Sequence, residues 1–505
     1  MIRTAPSKIV MFSAEAAPFA KDGGLGDVVG ALPKELKKLG FDPVVVIPAY
    51  ASVLQQGRFD IQRCKEVEDF TVRIGNRMDR AEIYRTQFDR SGVDVYMIGS
   101  RKYFGRQGIY NNPNTGEGYP DNDRRFIFFM KAGIELLPRL KHPVDILHFH
   151  DSQTALIPSI LQLNYGDNPF YRDVGTLFTI HNLAYQGIYS PKALLYAGID
   201  SKHFYPLSPL EYWNKVNFMK AGILLADKVN TVSQTYALEI QRDHEYGHGL
   251  EGVLQSRKAD VTGIVNGIDG EEWNPETDCL IPSNYSGDNL NGKAVCKLYL
   301  QRRFNLSSQD DRVPLIGMVS RLVEQKGIDL ITESIPEIIA TKMQLVVLGV
   351  GQKKYHTILK DIAARYPENV AVHLAFDNEL AHQIEAGSDM FLMPSRYEPC
   401  GLSQLISLRY GTIPVVRATG GLADTIKPYR KGRGTGFTFS GYSADEMMEA
   451  LKQARRLYSN ANRWKNLMVR AMSEDWSWEK SAEGYIDLYR SIYSRRHPKV
   501  QRKHP

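Results

Sequence analysis

The 505-residue chain reads as an α/β protein built from two doubly wound, parallel-sheet domains. Three observations carry that reading. Short β-branched runs alternate with longer amphipathic stretches over most of the sequence. The alternation falls into two series, separated by Asn266-Gly-Ile-Asp-Gly270 and by a segment, 274–291, rich in Asn, Ser, Pro and Gly. The length fits two large α/β domains as well as it fits three of roughly 150 residues.

In the first series, strands are predicted at 8–13, 43–48, 93–98, 145–149, 175–180, 228–232 and 263–265, with helices such as 27–39 and 152–163 between them. In the second, strands are predicted at 314–319, 344–348, 370–374, 390–393 and 413–416, with a helix at 328–339. The expected domains are 1–265 and 266–479, followed by a C-terminal helix at about 480–505. Ligands of such sheets gather at the carboxyl ends of the strands, so a site shared across a cleft is expected.

Composition narrows the classes. Hydrophobic residues at 43%, charged at 24% and aromatic at 10% give a soluble globular chain with a full core, and exclude a disordered or collagenous one. No apolar run approaches the roughly 18 residues of a membrane span. Net charge is +6, and six basic residues (Arg490, Arg495, Arg496, Lys499, Arg502, Lys503) with no acid lie beyond Tyr489. The rest of the chain is neutral, so the charge belongs to a tail read as solvated and frayed, and nucleic acid is not an expected partner. The four cysteines (Cys64, Cys279, Cys296, Cys400) are dispersed, which argues against a structural zinc site and suits a reducing compartment. The apolar run from Ile9 ends at Glu15, too soon for an export core, and reads as a first strand. The expected location is the cytoplasm.

Four segments carry chemistry. Lys21-Asp-Gly-Gly-Leu-Gly-Asp27 sits between the first strand and first helix, where glycine N–H groups, a helix N-terminus and a lysine suit a phosphate. It is neither a Walker loop nor a dinucleotide fingerprint, and a purely structural strand–helix turn remains open. Arg321 and Lys326 follow the strand at 314–319; two cations at a sheet's carboxyl edge suit a diphosphate leaving group or a solvated ion-pair cluster. Glu398-Pro-Cys-Gly-Leu-Ser403 follows the strand at 390–393 and holds a carboxylate rigidly at the same edge. Thr419-Gly420-Gly421-Leu-Ala-Asp424 offers a second glycine turn into a helix. Cys400 reads as a packed small residue, with no base adjacent in sequence.

Together with His150-Asp151, the stretch from Phe178 to Gly187, Val229–Ser233 and Gly263–Asp269, these segments resemble the bacterial glycogen synthase and plant starch synthase family, glycosyltransferase family 5, from Lys8 to about Tyr489. The resemblance implies the GT-B fold, two Rossmann-like domains facing across a deep cleft, with the C-terminal helix at about 480–505 crossing back to the first. It implies a retaining transfer of glucose from a nucleoside diphosphate glucose to the non-reducing end of an α-1,4-glucan, without cofactor or metal. ADP-glucose is the expected donor. A relative using UDP-glucose and a non-catalytic glucan-binding homologue are the alternatives; a phosphorylase lacks support, since no pyridoxal-lysine motif is evident.

Residue by residue, the resemblance makes Lys21, Gly23 and Gly24 the donor loop and brings Asp27 near the reacting centre. Arg321 and Lys326 match the cations on the departing diphosphate, and Glu398 the catalytic glutamate. His181 matches the histidine whose ring and carbonyl line the glucose site; Asn182 and Asp151 fall on the acceptor side. Asn266, Cys400, Gly401, Leu402, Thr419, Gly420 and Gly421 match donor contacts. For the segment from Tyr119 to Phe126, with Tyr119 the candidate acceptor residue, acceptor contact and helix capping both remain open. Trp273 is read as a packing residue beside the linker. Ser152 stands where many relatives have Trp, Asp22 adds a negative charge to the donor loop, and Ile406 fills a place where broader GT-B patterns have a second Glu.

Overall fold

The computed structural model describes residues 5–310 and 312–498, so Lys499, Arg502 and Lys503 of the basic tail lie outside the described residues. The chain divides into two compact units. The first takes residues up to 232, 237–264 and from 478 onward; the second takes 233–236 and 265–477.

The first unit holds a ten-stranded sheet. Its parallel part runs Val261–Gly263, Lys228–Thr231, Gly175–Ile180, Ile146–His150, Lys8–Phe12, Asp42–Pro48, Asp94–Gly99. Strand order reverses between Lys8–Phe12 and Ile146–His150, which opens a crevice at their carboxyl ends. Every residue of Ile146–His150 and Gly175–Ile180 is buried, as both faces of a parallel sheet require.

The second unit holds a six-stranded, all-parallel sheet in the order Val370–His373, Gln344–Leu348, Leu315–Val319, Met390–Met393, Ile413–Arg417, Phe437–Phe439. Its switch point lies between Leu315–Val319 and Met390–Met393. The polar segment after Gly270 packs on this unit. Trp273 stacks on His382 with ring centres 3.9 Å apart, and the buried Asp278 carboxylate accepts from Tyr410 at 2.5 Å and pairs with His382 Nδ1 at 2.8 Å.

Several elements differ from the sequence reading. The strands Gln62–Arg63, Phe70–Ile74 and Arg77–Gln87 form an antiparallel edge that the reading omitted. Their exposed faces are charged and tied by ion pairs such as Arg80–Asp69 and Arg85–Asp94, so the apolar signal is halved. Phe437–Phe439 was also omitted, and the strand placed at 263–265 lies at Val261–Gly263. The helix expected from 152 begins only at Ile157, because Asp151 turns the chain with φ +55° and a run of turns follows. Ser233–Tyr236 belongs with the second unit: Thr235 donates its N–H and hydroxyl to the Asp424 carboxylate, at 3.0 and 2.6 Å.

The C-terminal helix Trp478–Arg496 belongs to the first unit, with Tyr485, Tyr489 and Ile492 buried. The part of the tail read as solvated is anchored: Arg495 pairs with Asp260 and Arg496 with Asp227, each at 2.9 Å.

Candidate active site

In the first unit the candidate residues collect at the carboxyl edge of the sheet. The Lys21–Asp27 loop follows Lys8–Phe12 and enters the helix Gly24–Lys38, with Asp27 in its first turn, where a carboxylate suits the helix field. Lys21 pairs with Asp27 at 2.6 Å. The loop's shape is set by Glu15, a residue that sequence reasoning used only as the end of a strand. Its buried carboxylate accepts from the N–H groups of Asp22 (2.6 Å) and Gly23 (3.0 Å) and from the Tyr110 hydroxyl (2.5 Å). Burial pushes the Glu15 carboxyl up, and those hydrogen bonds oppose it. The expected cradle is therefore corrected in detail: the Gly23 N–H is spent on Glu15, whereas those of Gly24 and Leu25 start the helix without an intrahelical partner. Asp22, the extra negative charge of this loop, is exposed.

Asp151 follows Ile146–His150, and its carboxylate accepts from the His181 N–H at 2.7 Å. Burial raises its carboxyl to about 7, against the backbone hydrogen bonds from His181 and Asn182. His181 follows Gly175–Ile180 and is held by burial at about 3, so its ring is neutral at physiological pH. Its Nε2 lies 3.0 Å from Nδ1 of His150. Asn182 closes an Asx turn, its Oδ1 accepting from Ala184 N–H at 3.0 Å.

Tyr119 does not cap the helix that follows it. Its hydroxyl donates to the Gln107 carbonyl at 2.7 Å, and the guanidinium groups of Arg106 and Arg125 lie 4.7 and 5.0 Å from its ring. The helix Asn122–Arg139 has Asp121 at its N-cap, and that carboxylate binds Arg106 instead of capping. Tyr119 connects to the site through backbone: its N–H donates to the carbonyl of Tyr110, whose phenol reaches Glu15. Tyr110 lies in an Asn- and Gly-rich loop with no pattern to single it out.

In the second unit the loops after Leu315–Val319, Met390–Met393 and Ile413–Arg417 meet. Lys326 Nζ is 2.5 Å from Glu398 Oε2, with the two side chains 15% and 6% exposed. Ser395 donates to the same oxygen at 2.9 Å. Cation and carboxylate, read separately in the sequence as phosphate and sugar groups, form one ion pair. Their loops are joined by Gln325: its carbonyl accepts from Arg396 N–H (2.8 Å), and its amide donates to the Tyr397 carbonyl (3.0 Å). Arg321 is exposed in the same loop.

The two glycine turns pack backbone to backbone. Gly421 N–H donates to the Glu398 carbonyl at 3.0 Å. A Cβ on Gly420, which has φ +46°, would lie 1.9 Å from that carbonyl oxygen, and one on Gly421 would lie 2.1 Å from the Cys400 oxygen. Thr419 occupies the N-cap position of the helix Gly420–Thr425 in extended backbone. Gly401 takes φ +74°, and Gln404 donates to the carbonyls of Cys400 and Gly401 at 3.0 and 2.9 Å, fixing the turn that leads through Leu402 into Ser403–Arg409. Burial pushes the Cys400 thiol up to about 12, so it serves as packing and not as a nucleophile. Its sulfur accepts from the N–H of Asn266, whose side-chain Oδ1 is buried without a partner among the described residues. Among the described residues, no group of three or more His, Cys, Asp or Glu is placed to hold a metal ion, and no helix is long and apolar enough to cross a membrane.

The chain is similar over nearly its whole length to proteins of known type. Residues 8–256 match the starch synthase catalytic domain family, and residues 302–467 match glycosyl transferases group 1. Glycogen synthases of Geotalea daltonii and Geotalea uraniireducens are 47% and 45% identical to it, over 97% of this chain and 99% of theirs. The chain belongs to the glycogen and starch synthase family. Among solved structures, the catalytic domain of starch synthase IV from Arabidopsis thaliana, bound to ADP and acarbose, superposes with a TM-score of 0.89 at 32% identity, covering 97% of this chain and all of that one. Sucrose-phosphate synthase from Thermosynechococcus elongatus shares the fold, with a TM-score of 0.59 at 15% identity. The family is one of glycosyltransferases, and the two parallel-sheet units are those of the GT-B class.

Proposed function

We infer that the chain is a retaining glucosyltransferase that moves glucose from ADP-glucose to the 4-hydroxyl at the non-reducing end of an α-1,4-glucan. The observation that carries this reading is the buried Lys326–Glu398 pair at the switch point of the second sheet, in a chain 47% identical to a glycogen synthase. The ADP and acarbose held by the Arabidopsis enzyme support the choice of donor base and of a glucan acceptor. Free cysteines at Cys64, Cys279, Cys296 and Cys400 suit a cytoplasmic enzyme.

The bond between the anomeric carbon and the diphosphate oxygen breaks while the acceptor hydroxyl approaches on the same face. Negative charge grows on the diphosphate, and Arg321, Lys326 and the open N–H groups at the start of Gly24–Lys38 neutralise it. The acceptor proton passes to the departing phosphate oxygen. Positive charge at the anomeric carbon is met by Glu398 and by the His181 carbonyl. Pairing with Lys326 gives Glu398 its place in this scheme: a carboxylate bound to an ammonium and a serine hydroxyl is held in a fixed position. Asp151, in the loop beside His181, accepts a hydrogen bond or a proton near neutral pH, which suits a group on the acceptor side.

The test is the linkage made. With ADP-glucose and a short maltooligosaccharide, proton NMR is expected to show new α-1,4 resonances in step with ADP release. A β-linkage, or release of free glucose without elongation, would overturn the reading.

A further inference from the structure

We propose that His150 fixes the tautomer of His181 by donating its Nδ1–H to His181 Nε2, so that His181 offers an Nδ1–H donor to the sugar. The proposal rests on the reading of His181 as part of the glucose site. His150 itself is a positioning residue.

The two imidazoles are 3.0 Å apart, Nδ1 to Nε2, with ring centres 5.3 Å apart. Burial holds both neutral, so one proton lies between them. In one arrangement His150 carries its proton on Nδ1 and donates. In the other, His181 donates from Nε2, and His150 must then carry its own proton on Nε2. That second nitrogen decides the matter. His150 is fully buried, and its Nε2 has no hydrogen-bond partner among the described residues. A bare ring nitrogen is tolerated there at less cost than an N–H donor with nowhere to donate. The first arrangement follows.

The surroundings leave His150 no other choice. Its ring packs 4.1 Å from that of His148. Thr179 donates to Asn230 Oδ1 at 2.5 Å, so its oxygen accepts from His148 Nε2 at 2.6 Å, and His148 Nδ1 accepts from Tyr489 at 2.8 Å. Both nitrogens of His148 are spent. His181 is held at its backbone by Asp151 and at its ring by His150, which leaves its Nδ1–H for a ligand. A hydroxyl oxygen of the transferred sugar has the chemistry to accept it.

The experiment is two-bond nitrogen–proton correlation NMR on the full chain labelled at histidine, with His181 assigned from a His181→Gln variant. In the wild type, His181 is expected to show a protonated Nδ1 and a bare Nε2. His150→Phe should move the proton toward Nε2 and lower kcat about tenfold or more, with KM for ADP-glucose nearly unchanged. His150→Asn, whose amide places a donor near the position of Nδ1, should restore most of both. A wild-type His181 protonated on Nε2 would overturn the proposal, and so would a His150→Phe variant that keeps Nδ1–H. Should His150→Phe fail to fold, the wild-type spectrum alone decides. An Nδ1–H signal in a chain that transfers no glucose would sustain His150's role and strike the functional reading instead.

Discussion

Glu398 and Lys326 sit 2.5 Å apart, so neither is independent of the other. Lys326→Ala removes a charge aimed at the leaving group and also strips Glu398 of its partner. We expect kcat to fall by about 10²–10³ and KM for donor to rise only modestly, because the helix start at Gly24 and Lys21 still hold the ground state. A large rise in KM with kcat preserved, in steady-state assays, would make the lysine a binding anchor. Asp151 gives a pH test. Its folded carboxyl is raised to about 7, so the folded state takes up a proton that the unfolded chain has released, and stability attributable to this group falls as pH climbs from about 4 through 7. Asp151→Asn keeps the acceptor for His181 N–H and removes the charge. Its melting temperature relative to wild type should therefore improve from pH 5 to pH 8; a constant difference would show that Asp151 does not titrate in that range. At this scale the sequence showed Lys21, Arg321, Lys326, His181 and Glu398 through their motifs. It hid Glu15, Tyr110, Ser395, Gln325 and Gln404, because nothing in their spacing indicates which loop they brace.

The elements that position the site were legible where burial is two-sided. Gln344–Leu348 and Met390–Met393 carry short apolar runs that end at Gly349 and Pro394, and their limits are legible to the residue. The antiparallel edge around Arg77–Gln87 was not legible, since one face is charged and its register depends on partners distant in sequence. The glycine turns give an element-scale prediction. Gly421→Ala should cost about 1–3 kcal/mol and most activity, because a Cβ there would meet the Cys400 backbone. Gly23→Ala meets nothing within 4 Å and should fold as the wild type does; equal melting temperatures for the two variants would contradict the packing described. The C-terminal helix adds another. Its core contacts are Tyr485, Tyr489 and Ile492, whereas Arg495 and Arg496 make half-exposed ion pairs. The double substitution Arg495→Ala with Arg496→Ala should cost roughly 1 kcal/mol in urea titrations at low salt, and less at high salt. A loss that salt leaves unchanged would point to packing and not charge.

Across the whole molecule, the candidate residues fall into two sets, each at the switch point of its own sheet. The first unit supplies Lys21, the open helix start, Asp151 and His181; the second supplies Arg321, the Lys326–Glu398 pair and the paired glycine turns. The alternation of strands and helices made this two-domain plan readable, and the order of the motifs along the chain pointed to the family. The assignment of Ser233–Tyr236 to the second unit was not readable, because it turns on a hydrogen bond from Thr235 to Asp424 across 189 positions. The decisive measurement is elongation of glycogen by the purified chain, with ADP-glucose and UDP-glucose compared at equal concentration. Rapid incorporation from ADP-glucose is expected, with a much lower kcat/KM for UDP-glucose and loss of incorporation in Glu398→Gln with ADP binding retained. No incorporation from ADP-glucose by well-folded protein, or full activity in Glu398→Gln, would contradict it.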